Sequence, residues 1–475
     1  MQKILFDFTL IPIISAVVLG TLRLLLHLRG RFLSIFECLL SVLWICILSC
    51  LYFIHGDIRF VVGGWSLRQG VAVFVNMNSM WFIWAFTIVW ISVKLRSDFK
   101  HIDRTYEAIL DFLYSAVYAV YIFGDLFNLY VSVELASILS FLLVGYGEKP
   151  IRVWAALKYM MMSVVAFNLY LSGISLIYEA TGSLNISYIS NSGISLPPIA
   201  ISLILTGILV KSGIFFLSAW LPDAHAEATT PVSMILSGGI VNLGIFALLR
   251  ILPFIQQQYP QIIDIVAITG MLSVLLGGIY AAFESRPKRL LAYSTFSQMG
   301  ISVFLVAVAP VAVGLYAFFH SLTKALLFST VKGKGKSSKV FMYIGIFSLI
   351  GLPPFLGFVA KKSLFLFNPI LGIVISLLTA IYIFTLPKFV KGKLDSKYRL
   401  QLSEFILFLC ILLPTFFLRW PGWTYLVEGF IIAIIGYFIA KFIKPLPFPT
   451  SIFEIEIGIS YQILFAMFVV LALTM

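Results

Sequence analysis

The sequence predicts an all-α polytopic membrane protein of about 16 transmembrane helices, with two inverted five-helix repeats and interruptions in the seventh and twelfth helices. Three observations predict it. The 475 residues are 61% hydrophobic and only 11% charged, a balance foreign to soluble domains. Apolar runs of roughly 17–25 residues, long enough to cross a bilayer, recur along the whole chain. Basic residues also alternate between the connecting loops.

The apolar runs begin near residues 4, 32, 75, 108, 124, 154, 197, 231, 261, 288, 311, 341, 370, 401, 424 and 453. If they alternate in direction, 22 of the 33 Lys and Arg residues fall in loops on one side, among them Arg29, Lys94, Arg96, Lys100, Arg286, Lys332 and Lys391. Only five (Lys3, Arg59, Arg68, Arg250 and Arg419) fall on the other. Loop basicity marks the cytoplasmic face, so the count places the chain in the cell membrane as a multi-pass protein with both termini on the outer side. The net charge of +13 is thereby a topological signal and excludes a nucleic-acid-binding role. The N-terminus lacks a basic region and a small-residue cleavage site and reads as the first membrane helix.

Four divisions follow: residues 1–107 for helices 1–3, 108–260 and 261–391 for the two repeats (helices 4–8 and 9–13), and 392–475 for helices 14–16. Lys158 and Lys211 in the first repeat answer Lys324 and Lys361 in the second. Units with an odd number of spans insert with opposite orientation, the arrangement that builds sites at mid-membrane. The glycine-punctuated segment 55–70 reads as a hairpin cap on the outer side.

Several motifs exclude chemistry. The cysteines Cys38, Cys46, Cys50 and Cys410 form no CxxC and suit neither clusters nor redox pairs. KGKGKSSK (332–339) is not a phosphate loop, because GxxxxGK[ST] would need glycine where Thr330 stands; it reads as a cytoplasmic connector. His225 and Glu227 in DAHAE lack HExxH spacing and further ligands, so no metal is expected there and the pair reads as helix entry and loop packing. No dinucleotide fingerprint or haem motif is present. No cofactor and no redox or hydrolytic site is expected in this chain.

The informative residues are charges inside apolar spans. Glu134, Lys211, His320, Lys324 and Lys361 lie near mid-depth, with Lys158 nearer the inner end. An isolated charge there costs at least a few kcal/mol, about 2.5–3.5 on insertion scales, so it faces protein or water and finds a partner. Lys211 precedes a break at Ser212-Gly213, and Lys361 follows Gly351, Pro353, Pro354 and Gly357. His320 and Lys324 share one helix face. The plain alternatives are interhelical salt bridges, a hydrogen-bonded core histidine for His320, and snorkelling for Lys158. The sharper reading is a proton relay. Burial makes a lysine release its proton more readily, and a nearby carboxylate makes it hold on. A movable Glu134–Lys211 contact would switch Lys211 between the two.

The motifs GDLFNLYVSVE (124–134), VKSGIFFLSAWLPDAHAEATTPVS (210–233), KRLLAYSTFSQMG (288–300), HSLTKALLF (320–328) and GLPPFLGFVAKK (351–362) resemble, in order, those of the D-type component of Mrp multisubunit cation/proton antiporters. The wider superfamily holds the antiporter-like subunits of respiratory complex I, membrane-bound hydrogenases and sulfur-reducing complexes. The resemblance covers roughly residues 60–390. It implies two proton half-channels joined by a polar axis, with Glu134 and Lys211 as an acid–lysine pair. Lys158, His320, Lys324 and Asn242 then occupy axis positions, and Lys361 is the lysine of the broken twelfth helix, nearer the outside. The implied partners are other membrane subunits of an Mrp-type or redox-driven respiratory complex, together with lipid, protons and Na⁺ as a second candidate ion. The chain departs from the pattern at Asn242 (often lysine), at Asn76 (often aspartate), at Ser132-Val133 (usually Phe-Phe), and in two extra C-terminal helices. These departures carry the competing reading, a diverged structural paralogue that scaffolds its complex without conducting.

Overall fold

A computed structural model describes residues 2–27, 31–96, 103–147, 149–331, 336–390, 401–418, 423–446 and 453–474. The connector at 332–335, the basic stretch 391–400 and the turns around 420 and 449 lie outside the described residues, as do Arg29 and Lys100. The protein is nearly all helical. In chain order, α1 (Gln2–Leu25) and α2 (Arg31–His55) lead into strands β1 (Ile58–Val61) and β2 (Ala72–Val75). There follow α3 (Met77–Lys94), α4 (Arg104–Ile122), α5 (Leu126–Gly145), α6 (Pro150–Thr181) and the short α7 (Ile186–Ser192). The next segment is broken into α8 (Pro198–Lys211), a 3₁₀ turn and α9 (Trp220–Glu227). The helix after it comprises α10 (Thr230–Ile235), a π-helical turn (Leu236–Ile240) and α11 (Val241–Ile255).

Then come α12 (Ile262–Phe283), α13 (Pro287–Val308), α14 (Pro310–Thr330) and α15 (Lys336–Ile350). The second broken segment holds α16 (Leu356–Ala360) and α17 (Lys362–Phe367). It is followed by α18 (Pro369–Ile383), α19 (Leu386–Phe389), α20 (Leu402–Phe417), α21 (Trp423–Phe442) and α22 (Phe453–Thr474). Ten helices among the described residues are long and apolar enough to cross a membrane, so this is a multi-pass membrane protein.

Burial sorts these helices radially. The most apolar window is 100% buried in Thr230–Ile255, 89% in α13 and 83% in α14, but 28% in α1 and α2 and 22% in α21. The centre is therefore α11, α13 and α14. Their near-complete burial explains why polar residues concentrate there, since only protein-facing positions tolerate them. Where α12 packs along α13, glycines set the distance. A Cβ on Gly300 would stand 2.5 Å from the Gly270 carbonyl oxygen, so the two backbones touch, as small residues allow between membrane helices.

The hairpin expected at 55–70 forms, but its second strand lies beyond residue 70, pairing Ile58 with Val75 and Val61 with Ala72. The third apolar run starts as a helix at Met77 because Asn76 caps it. Its Oδ1 accepts from the Ser79 amide at 3.0 Å, while the Asn76 amide donates to Ser79 Oγ at 3.4 Å, a capping box.

Lys94 and Arg96 depart from the sequence reading. They are not loop cations but buried residues at the end of α3. Lys94 joins a charge network between α1, α2, α3 and α4. Arg23 contacts Glu37 (2.6 Å), Asp111 (3.1 Å) and Glu107, and Lys94 contacts Glu37 (3.1 Å) and Asp111. Ion pairs of this kind make it possible for charges to leave water together.

Candidate functional site: a row of buried lysines

Lys211 ends α8. The break after it is built by Gly213, whose φ of +71° is the left-handed conformation that glycine takes without a Cβ penalty. Ser218 Oγ then donates to the Val210 carbonyl at 2.6 Å, meeting one acceptor freed by the interruption. The Lys211 side chain is 2% exposed. Its ammonium donates to Ser163 Oγ at 2.9 Å and Tyr159 Oη at 3.3 Å, and lies 4.9–5.9 Å from the ring centroids of Tyr159, Phe167 and Phe141. A narrow crevice lined by Tyr130, Val133, Phe167 and Leu243 reaches it.

Glu134, on α5, is half-buried and its Oε2 has no hydrogen-bond partner. Its charge acts on Lys211, yet the two do not form an ion pair within 4 Å among the described residues. The contact expected from the sequence is thus open in this conformation.

Lys324 on α14 is fully buried and donates to the Leu291 carbonyl at 3.0 Å and to Ser294 Oγ. One turn earlier, His320 is equally buried. Neither ring nitrogen has a hydrogen-bond partner, although the Ser237 backbone lies close enough to act on the ring. Asn242, just after the π-helical turn, donates to Ser321 Oγ at 2.8 Å and leaves its Oδ1 unpartnered. That bond ties α11 to α14 beside His320. Lys361, 2% exposed, sits between α16 and α17 and donates to the Ile350 carbonyl at 3.2 Å. This carbonyl ends α15, where the helix has no further N–H to offer it.

Lys211, Lys324 and Lys361 therefore share one property: each is held by hydroxyl or carbonyl oxygens and not by a carboxylate. A carboxylate partner fixes a lysine in its charged form. A hydroxyl accepts from an ammonium and can rotate to donate to a neutral amine, so Lys211 and Lys324 keep partners in both states.

Lys158 is different. Its ammonium pairs with Asp223 Oδ2 at 2.8 Å, and Asp223 Oδ1 also faces Arg289 at 3.6 Å. Arg289 in turn faces Glu284 at 3.5 Å. Asp223, from α9, joins α6 to α13 and was not singled out by sequence, although it stands in the DAHAE stretch. His225, two residues on, is buried against the Phe328 ring at 4.7 Å, and its carbonyl accepts from Ser233 Oγ.

Sequence reasoning also missed a polar chain on the far side of α13. Gln298 donates to Tyr382 Oη at 2.7 Å and accepts from Tyr316 Oη at 2.7 Å, joining α13, α14 and α18. The run of small hydroxyl residues in LLAYSTFSQMG was the available signal.

Comparison with known proteins shows what the chain is similar to. Residues 124–339 match the family described as NADH:quinone oxidoreductase/Mrp antiporter, TM. The match covers a little under half of the chain. The matched stretch contains Glu134, Lys158, Lys211, Asn242, His320 and Lys324, and ends before Lys361. The chain is 31% identical to the N-type component of the NADH-quinone oxidoreductase of Desulforudis audaxviator, over 55% of this chain and 60% of that one. It is 26% identical to the D-type component of the Na(+)/H(+) antiporter of Bacillus subtilis, over 75% and 79%. The chain thus spans little more than half the length of the first of these curated relatives. Among solved structures, a chain of the membrane-bound sulfane sulfur reductase, an archaeal respiratory membrane complex, superposes with a TM-score of 0.78 at 21% identity, covering 93% of this chain and 99% of that one. A chain of the Mrp complex from Dietzia sp. gives 0.70 at 19%, covering 99% and 96%. Both likenesses concern the fold.

Proposed function

We propose that this chain is the proton-translocating, antiporter-like membrane subunit of a multisubunit complex, either an Mrp-type Na⁺/H⁺ antiporter or the ion-moving arm of a redox-driven respiratory complex. The observation that carries the reading is Lys211, buried at a helix break with hydroxyl partners and an open approach from Glu134. Protons pass along Glu134, Lys211, Asn242, His320, Lys324 and Lys361, with Lys158 and Asp223 as a charged entry on the inner side. Asn242, which cannot carry charge, holds water through its free Oδ1. Closure of Glu134 on Lys211 favours the ammonium; withdrawal favours release toward the centre.

The finer architecture belongs to this proposal. The helices are read as sixteen spans, with the broken segments α8–α9 and α15–α17 as the seventh and twelfth. Residues 1–107, 108–260, 261–391 and 392–475 form an N-terminal unit, two inverted repeats and a C-terminal unit. The chain sits in the cell membrane with both termini outside, and its partners are other membrane subunits, protons, lipid and, in the Mrp-type case, Na⁺. The test is gradient formation in membrane vesicles bearing the assembled complex. Lys211→Ala and Glu134→Ala abolish it while the complex stays intact; unchanged transport in both variants overturns the proposal.

A second reading, a scaffold without conduction, is favoured by Asn242, whose amide is spent on a structural bond to Ser321. It predicts that removal of the chain dissociates the complex while Lys211→Ala leaves transport untouched.

A further inference from the structure

At the hairpin end of the molecule, away from the lysine row, lies a polar cavity of about 410 Å³. Arg59, Asn76, Asn78, Ser190, Asn191 and Arg250 supply most of its polar lining. Arg250, near the end of α11, is 8% exposed. One nitrogen, Nη2, donates to the Phe74 carbonyl and, at 2.8 Å, to Ser79 Oγ. Its Nε and Nη1 have no hydrogen-bond partner. The guanidinium lies 4.2 Å from the Phe74 ring centroid and 4.8 Å from that of Phe246, which hold it in place without meeting its donors.

The nearby acids are occupied. Asp57 pairs with Arg59 at 3.2 Å. Asp125, beside the cavity wall at Gly124, accepts from the Asn128 amide at 2.8 Å and from Asn128 Nδ2 at 2.9 and 3.0 Å. Asn76 spends its Oδ1 on the capping box and carries no charge. Arg250 therefore brings a buried, fixed positive charge to the wall of a cavity whose other polar groups are amides, hydroxyls and a second arginine. A buried cation left without a counter-charge is costly, and arginine donors are met best by oxyanions.

We infer that this cavity binds a phosphate group, presented either by inorganic phosphate or by an anionic lipid headgroup. The geometry favours phosphate over a single carboxylate. The several oxygens of a phosphate can meet donors from more than one wall of the cavity at once, whereas a carboxylate offers one planar two-oxygen fork. The amides of Asn76 and Asn191 and the Arg59 guanidinium at the rim supply further donors.

The experiment uses the full chain in its complex, in nanodiscs. In phosphatidylcholine nanodiscs, inorganic phosphate is titrated by calorimetry, with sulfate-free chloride buffer as the baseline. In a second arm, nanodiscs containing phosphatidylglycerol are stripped with detergent and the lipid retained by the protein is measured by native mass spectrometry. Arg250→Gln removes the two free donors and their charge. Because it also removes the bonds to Phe74 and Ser79, Asn191→Asp provides the second variant, placing a negative charge on the exposed rim while leaving the Arg250 contacts alone. Saturable phosphate binding weakened at least fivefold in Asn191→Asp identifies free phosphate. Retained phosphatidylglycerol that falls by half or more in the same variant identifies the lipid. Equal behaviour of wild type and Asn191→Asp in both arms, or no binding by wild type in either, overturns the inference.

Discussion

Replacing Arg23 by Met removes the hub of the network at the α1–α4 junction. Arg23 is fully buried and touches three carboxylates, Glu37, Glu107 and Asp111, and also donates to Ser34 Oγ at 3.3 Å. Glu37 and Asp111 still share Lys94 after the change, but Glu107 has no other cation among its described ion pairs. Breaking a buried pair by removing one partner costs about 3–5 kcal/mol, mostly from the charge left behind. Methionine restores much of the side-chain volume, so the loss reports charge more than cavity. The prediction is a destabilisation of about 3–5 kcal/mol in reversible unfolding by a denaturing detergent, followed by tryptophan fluorescence. Glu107→Gln in the same background removes the stranded charge and recovers part of the loss, giving a coupling of about 1–3 kcal/mol in the double-mutant cycle. Arg59→Gln is the control. That pair is 63% and 43% exposed, and its loss costs at most about 1 kcal/mol. An Arg23→Met protein within about 1 kcal/mol of wild type, or one whose cost is unchanged by Glu107→Gln, refutes the argument.

Three further predictions follow from individual contacts. Asp223→Asn leaves Lys158 without its carboxylate and lowers proton transport at least tenfold in assembled complex, measured as vesicle acidification; a rate within twofold of wild type removes Asp223 from the path. Gly300→Ala forces α12 and α13 apart, because the new Cβ meets the Gly270 carbonyl oxygen at 2.5 Å, and destabilises by about 1–3 kcal/mol in the same unfolding assay. Asn242→Leu keeps the packing volume but gives up the Ser321 bond and the water-holding Oδ1, so transport falls while detergent stability changes by less than about 2 kcal/mol, the range of one lost buried hydrogen bond.

The broad fold was legible because a bilayer imposes one demand that sequence cannot hide, long apolar runs with satisfied backbones. Lys211, Lys324 and Lys361 were legible for the converse reason, as charges where none belongs. The break at Ser212-Gly213 was readable from residue type alone, since Gly213 takes a conformation other residues avoid. What escaped was pairing at a distance. Arg23 lies within the first apolar run with no acid near it in sequence, and Glu37 and Glu107 stand near the starts of other runs; only the packing of α1 against α2 and α4 brings them together across 14 and 84 positions. Asp223 was hidden by its setting, a polar stretch where one more acid draws no notice, and its partner Lys158 lies 65 positions away. The Glu134–Lys211 pair shows the remaining gap. The sequence placed both near mid-membrane, but the aromatic cage and hydroxyls that hold Lys211 away from Glu134 come from α5 and α6, and residue spacing does not encode which partner a flexible side chain takes.

The central claim is that Lys211 works by losing and regaining a proton, not by supplying a fixed charge. The most direct measurement is proton transport by the assembled complex carrying Lys211→Arg, with assembly checked by native electrophoresis. Arginine keeps the positive charge and does not release its proton in proteins. The account predicts intact assembly with transport reduced to the level of Lys211→Ala. Transport restored to near wild type by arginine would contradict it and make Lys211 a structural cation.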